Sequence, residues 1–190
     1  MNQPFNDQPI ETVIEENLLQ GGTILDLRLK YIGDAGLEYL SQCAKLMNLR
    51  ELKLERNAIT DKGIQTLADS TILTGLKSLN LERNSISDEG VRSISLSPIF
   101  SHLISLNLWK NKIGAEGANA IADSLILSHL ERLDLAHNKI GDEGGKALIE
   151  SQTLTSLKYL DLFGNGISEE TQVAIKEALI FRDLQRLVLE

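Results

Sequence analysis

The chain has 190 residues, a length that suits one domain with one continuous core and argues against two globular domains. Its 19 basic residues against 27 acidic ones give a net charge of −8, the opposite of the basic surface that non-specific nucleic-acid binding needs. Hydrophobic residues make up 42% of the chain and no apolar run approaches the ~20 residues that cross a bilayer, so a soluble fold is expected, with neither nucleic acid nor membrane as a partner.

In chain order, the first predicted element is a helix over 9–20, with Pro9 suited to the first turn, where no amide donor is needed. Glu11, Glu15 and Glu16 give it a wet outer surface. The same segment lacks the basic and apolar regions of a secretion signal, and the lone Cys43 has no internal disulfide partner. A reducing, cytoplasmic location is the expectation, with export by a route that needs no cleavable signal left open.

From residue 22 onward a period of 27 governs the sequence. Leu fills 25, 52, 79, 106, 133, 160 and 187, and again 27, 54, 81, 108, 135, 162 and 189. Asn fills 57, 84, 111, 138 and 165; Gly fills 36, 63, 90, 117 and 144. Within one unit, Leu52 and Leu54 share a face at strand spacing, whereas Ile64, Leu67 and Ala68 recur at the spacing of a helix. Each unit therefore predicts one short strand and one short helix, with the strands parallel because every helix returns the chain to the same end. Thr60 or Asp61, and Ser87 or Asp88, are expected to cap their own helices through side-chain oxygens.

Six such units span 22–183, preceded by the capping helix as a half-repeat and followed by a terminal strand over 184–190. Ile10, Val13, Ile14, Leu18 and Leu19 fall in register with Ile64, Leu67, Ala68, Ile72 and Leu73, which is why the N-terminus reads as a half-repeat. Lys30 in place of Asn, and Thr171 and Gln172 in place of Gly and an apolar residue, mark the terminal units as atypical. A unit this small cannot bury its own leucines, so neighbours must stack into a quasi-one-dimensional array of 1–190 as a single domain.

The segments LRELKLERNAI, LKSLNLERNSI, LISLNLWKNKI, LERLDLAHNKI and LKYLDLFGNGI resemble the leucine-rich repeat signature LxxLxLxxNxI. The helix in each unit is most similar to the ribonuclease-inhibitor-like type, and the 27-residue unit to bacterial members of it. The resemblance implies an α/β fold: a right-handed solenoid in a horseshoe arc, with the parallel β-sheet on the concave side and the helices on the convex side. It also implies a scaffold for protein–protein interaction. Two alternatives stay open: a regulator of another enzyme, similar to a GTPase activator or a nuclease inhibitor, and a bacterial effector that binds a host protein.

Most polar columns read as structural. The Asn series is expected to satisfy backbone groups in a tight buried turn, and Ser70, Ser97, Ser124 and Ser151, with Cys43 equivalent to them, to be small helix-end residues. His102 and His129 stack one period apart, but two ligands do not make a zinc site. Asp134 and Asp161 stack at a spacing like that of a glycosidase carboxylate pair, yet Asn80 and Asn107 continue the column, so it reads as a repeat feature. No constellation of nucleophile, base and oxyanion donors is present. No enzyme activity, cofactor or metal is predicted.

The working surface is predicted on the strands, where residues between and just after the paired leucines point away from the core. Its acidic members are Asp26, Glu51, Glu55, Glu82, Asp134, Asp161 and Glu190; its basic members are Arg28, Lys53, Arg56, Arg83, Lys110, Arg132 and Arg186. The face is balanced and large enough for a standard protein interface of about 20 to 30 residues per side. Trp109, Tyr159 and Phe163 are the anchors, with Lys110, Arg132, Asp134, Ala136, His137 and Asp161 around them. Ala136 is expected to floor a notch of roughly 10 Å between Trp109 and Phe163, and an Arg132–Asp134 ion pair to set register. The last strand leaves an uncovered edge, so the expected state is a monomer or a weak association through that edge.

Overall fold

The computed structural model describes residues 8–178 and 184–189. Its first element is helix α1 (Ile10–Asn17), followed by β1 (Leu18–Leu19) and β2 (Ile24–Asp26). Strand and helix then alternate: α2 (Gly33–Gln42), β3 (Glu51–Lys53), α3 (Asp61–Ala68), β4 (Ser78–Asn80), α4 (Asp88–Leu96), β5 (Ser105–Asn107) and α5 (Ala115–Ala122). The pattern continues through β6 (Arg132–Asp134), α6 (Gly141–Glu150), β7 (Tyr159–Asp161), α7 (Glu169–Glu177) and β8 (Arg186–Val188).

The strands form one sheet in sequence order, and from β2 to β8 all pairs are parallel. The register follows the 27-residue period: Leu25 lies beside Leu52, Leu52 beside Leu79, and so on to Leu160 beside Leu187. Strands about 4.8 Å apart on one side and helices about 8–10 Å apart on the other make the helical side longer, so the α/β solenoid bends with its sheet on the concave face. Both leucine columns as far as Leu160 and Leu162, with the isoleucines at 59, 86, 113 and 140, are buried in a single core.

The N-terminal cap differs from the expected helix over 9–20. The helix stops at Asn17, and Leu18–Leu19 pair antiparallel with Ile24–Leu25. The chain turns back at Gly21 and Gly22, both at positive φ, and its short return strand covers the edge of β2. At the other end, β8 is three residues long rather than the expected seven, and Leu187 and Leu189 keep partial exposure. Glu190 and the end of the sixth repeat, 179–183, lie outside the described residues.

Two polar ladders join the repeats, one of them as expected. Each Asn side chain donates to backbone carbonyls of its own and the preceding repeat and accepts amides from the preceding one. Asn138 Nδ2 reaches Leu108 O at 3.0 Å and Leu135 O at 2.8 Å, while its Oδ1 accepts from Asn111 N at 3.2 Å and Ile113 N at 3.1 Å. The Ser column does similar work at the helix ends: Ser124 Oγ donates to Ser95 O at 2.6 Å.

The helix starts correct the expected local capping. Thr60 and Ser87 hold the cap positions, but their side chains accept no amide of their own helices; the acceptor is an aspartate of the preceding repeat. Asp61 Oδ1 accepts from Ser87 N at 2.7 Å and Gly90 N at 3.0 Å, and Asp88 Oδ1 from Gly114 N at 2.6 Å and Gly117 N at 2.9 Å. This explains glycine at 63, 90 and 117, since a Cβ on Gly90 or Gly117 would come within 2.5 or 2.6 Å of that carboxylate; at Gly36 and Gly144 it would instead meet the side chain of Ile32 or Ile140 at 2.4 Å. Asp142 does the same for Ser168, whose amide and then hydroxyl, with the Thr171 hydroxyl, hold the carboxyl below the usual range. Ala115 occupies the aspartate position of its repeat. The following helix, α6, begins one residue earlier, at Gly141, which takes φ +60° and donates its amide to Asn165 O at 3.0 Å.

Candidate functional site

The concave face is shaped by what happens just after each strand. The residue between the two leucines folds its side chain back onto the amide two positions on. Asn80, Asn107, Asp134 and Asp161 accept from Glu82, Trp109, Ala136 and Phe163 at 2.9–3.1 Å. The carboxylates and amides of this column therefore close a turn, and the stacked Asp134 and Asp161 serve the backbone. Two residues beyond the second strand leucine the chain enters the left-handed region at Leu29, Arg56, Arg83, Lys110, His137 and Gly164. There the amide still donates across rows, as in Lys110 N to Ala136 O at 2.8 Å and His137 N to Phe163 O at 2.7 Å. Strand alternation no longer sets where those side chains go.

The consequence is plain in rows four to six, the rows of β5, β6 and β7. His137 lies between the two rings that were expected to flank an open notch. Its ring meets Trp109 edge-on at 5.6 Å and Phe163 at 5.2 Å, while Ala136 beneath is only 3% exposed. Ala136 is thus a covered floor, not a contact residue, and the expected notch is filled. Arg83 extends the row by placing its guanidinium 4.6 Å from the Trp109 ring centre. The result is a continuous row Arg83–Trp109–His137–Phe163 across four repeats.

A second stack forms beside it. Arg132 does not pair with Asp134 as expected; its guanidinium lies 3.7 Å over the Tyr159 ring, and Arg186 approaches the same ring at 5.7 Å. The Tyr159 hydroxyl donates to Asp161 Oδ2 at 3.0 Å. At an exposed site a guanidinium over a ring face is worth about as much as an ion pair in water, and Asp134 is already taken by the Ala136 amide. Neither Arg83 nor Arg186 stood among the predicted site residues; the signal for both was a basic residue one repeat away from an aromatic.

Asp26 with Arg28, Glu51 with Lys53, and Glu82 with Arg83 are ion-paired. Glu55 is half-buried and accepts from Asn80 Nδ2 at 2.9 Å; burial pushes its carboxyl up. Burial, with nearby Asp161 adding to it, does the same to Asp134. Lys110 and His137 are exposed, and Phe163 is 45% exposed.

Elsewhere, His102 and His129 lie near the hydroxyls of Ser101 and Ser128, and among the described residues no three His, Cys, Asp or Glu gather as metal ligands. Cys43 is partly buried at a helix end. On the convex side a groove of about 490 Å³ runs over the alanine-rich α5, between Arg92, Leu96, Glu116, Glu143 and Ala147. No helix among the described residues is long and apolar enough to cross a membrane.

Comparison with known proteins agrees with the repeat fold. The family model described as Leucine Rich repeat matches residues 45–68, 74–95, 101–122, 127–148 and 153–170. No curated relative matches the chain. Among solved structures, an internalin (inlF) from Listeria monocytogenes str. 4b F2365 superposes with a TM-score of 0.54 at 26% identity, over 77% of this chain and 35% of the internalin. A chain of the Rad7 and Elc1 complex in yeast gives a TM-score of 0.50 at 14% identity, over 92% of this chain and 52% of that one. The chain thus spans only part of the length of either neighbour, and the second likeness is one of fold.

Proposed function

Because this chain belongs to the leucine-rich repeat family, we propose that it is a non-catalytic scaffold that binds a protein partner through the concave sheet face of rows four to six. The observation that carries this reading is the row Arg83–Trp109–His137–Phe163. The rings are held edge-on by one another, on a face whose leucines are already committed to the core. Such pre-ordered aromatics lose little side-chain freedom on binding, and buried Trp, Tyr and Arg dominate interface energies. The stacked Arg132–Tyr159–Arg186 group supplies a second contact of the same kind.

The strand-plus-helix unit supports the ribonuclease-inhibitor-like type, and a reducing, cytoplasmic location suits a lone thiol. A monomer, or weak association through β8, the last strand of the described sheet, is part of this reading. Binding needs no cofactor, since the contacts come from side chains alone.

The test is the double variant Trp109→Ala with Phe163→Ala, titrated calorimetrically against the partner captured from source lysate. Affinity is expected to fall by about 2–4 kcal/mol with an unchanged far-ultraviolet circular dichroism spectrum. Undiminished binding would move the site to the helical groove or the terminal strand.

A further inference from the structure

The left-handed bend after each strand does more than redirect His137. It lines up Arg56, Arg83, Lys110 and His137 in consecutive rows, and two residues further on Lys112 and Lys139 stand beside them. Their amides bond across rows in register, Arg56 to Glu82 O at 2.9 Å, Arg83 to Trp109 O at 2.8 Å, Lys112 to Ile86 O and Lys139 to Ile113 O at 2.8 and 2.7 Å. The side chains therefore repeat at the strand spacing along the edge where the strands end. Apart from Arg83, which shares Glu82, the arginines and lysines of this line are without an ion pair among the described residues.

The acids of the same face are recessed. Asp134 and Asp161 close turns onto amides, Glu55 is held by Asn80, and Glu82 lies against Arg83. Of the acids in the first helical turns, Glu116 and Glu143 line the groove on the opposite, convex side, and Glu116 pairs there with Arg92. A chain of net charge −8 thus carries an exposed cationic edge directly beside its aromatic row.

We propose that this edge receives an acidic, extended segment of the protein partner, running across rows three to five with an apolar side chain set against the Trp109–His137 stack. The inference rests on the concave-face reading above and specifies its partner. Rows about 4.8 Å apart against about 3.3 Å per residue of extended chain give the segment a cation every one to two residues. The cationic strip is one edge wide and crosses only three rows, about 10 Å between the outer ones, too short for the run of phosphate contacts from which nucleic-acid affinity comes. This favours a peptide over nucleic acid.

The experiment is a selection of short random peptides displayed on phage against the full chain, with binders then synthesised and titrated. Trp109 is the only tryptophan, so its fluorescence reports occupancy of this face. Selected peptides are expected to be rich in Asp and Glu, to change the Trp109 signal and to weaken at high salt. They should bind about tenfold less tightly to the variant Lys110→Glu with Lys139→Glu, while Lys146→Glu on α6 leaves affinity unchanged. Peptides that change Trp109 fluorescence without acidic enrichment, or that ignore the charge reversal, overturn the acidic-segment inference and leave the concave face standing. Binders that never perturb Trp109, or no binders at all, overturn both. Tighter binding of oligothymidylate than of any peptide overturns the inference in favour of a nucleic acid.

Discussion

Helices α5 and α6 begin at equivalent points of adjacent repeats and begin differently. At α5 the first amides, Gly114 and Gly117, donate to the carboxylate of Asp88 one repeat back. At α6 that carboxylate is missing, because its position holds Ala115, and Gly141 turns into the left-handed region to donate to a carbonyl of the following repeat. Helix α2 uses the same second solution, with Gly33 at φ +57° donating to Asn57 O at 3.0 Å. The comparison teaches that a helix start in this array belongs to two repeats at once: its donors find a partner in the repeat before or the repeat after, and glycine makes the second choice possible.

Three substitutions break or sharpen this contrast. The largest effect is expected from Asn138→Ala, which leaves the amides of Asn111 and Ile113 without a partner in a buried turn and takes one of two side-chain donors from the carbonyls of Leu108 and Leu135. At about 1–3 kcal/mol for a buried unsatisfied group and partial relaxation, a loss of about 3–5 kcal/mol in urea unfolding is expected, whichever way the adjacent helix is capped. Asp88→Ala removes the shared cap of α5 and should cost about 1–2 kcal/mol, with faster amide exchange at Gly114 and Gly117 as the local readout. The smallest effect, a gain of about 0.5–1 kcal/mol, is expected from Ala115→Asp. It should shift the Gly141 and Gly144 amide resonances and bring α6 to the α5 pattern.

The leucine columns made the parallel sheet, its register and the strand-helix unit legible, because a 27-residue period leaves those side chains one place to go. Three features were hidden for identifiable reasons. Leu18 and Leu19 match Ile72 and Leu73 in apolar character, and hydrophobicity alone does not separate a helix end from a return strand. The capping aspartates sit next to Thr60 and Ser87 in sequence, so a local rule credited them to their own helices; only the stacking shows that their oxygens serve the next one. His137 lies beyond the last residue for which strand alternation holds, and a positive φ there carries its ring over Ala136. The aromatic residues of the face were readable from composition and spacing, but their mutual arrangement was set by that bend.

The aspartate caps and the asparagine ladder also run in opposite senses along the chain. Each capping aspartate precedes its donors, as Asp61 precedes Ser87 and Gly90, whereas each turn asparagine follows the amides it accepts, as Asn84 follows Asn57 and Ile59. During synthesis from the N-terminus, a newly emerged helix finds its acceptor already waiting, while the bend behind the strand stays unsealed until one more module leaves the ribosome.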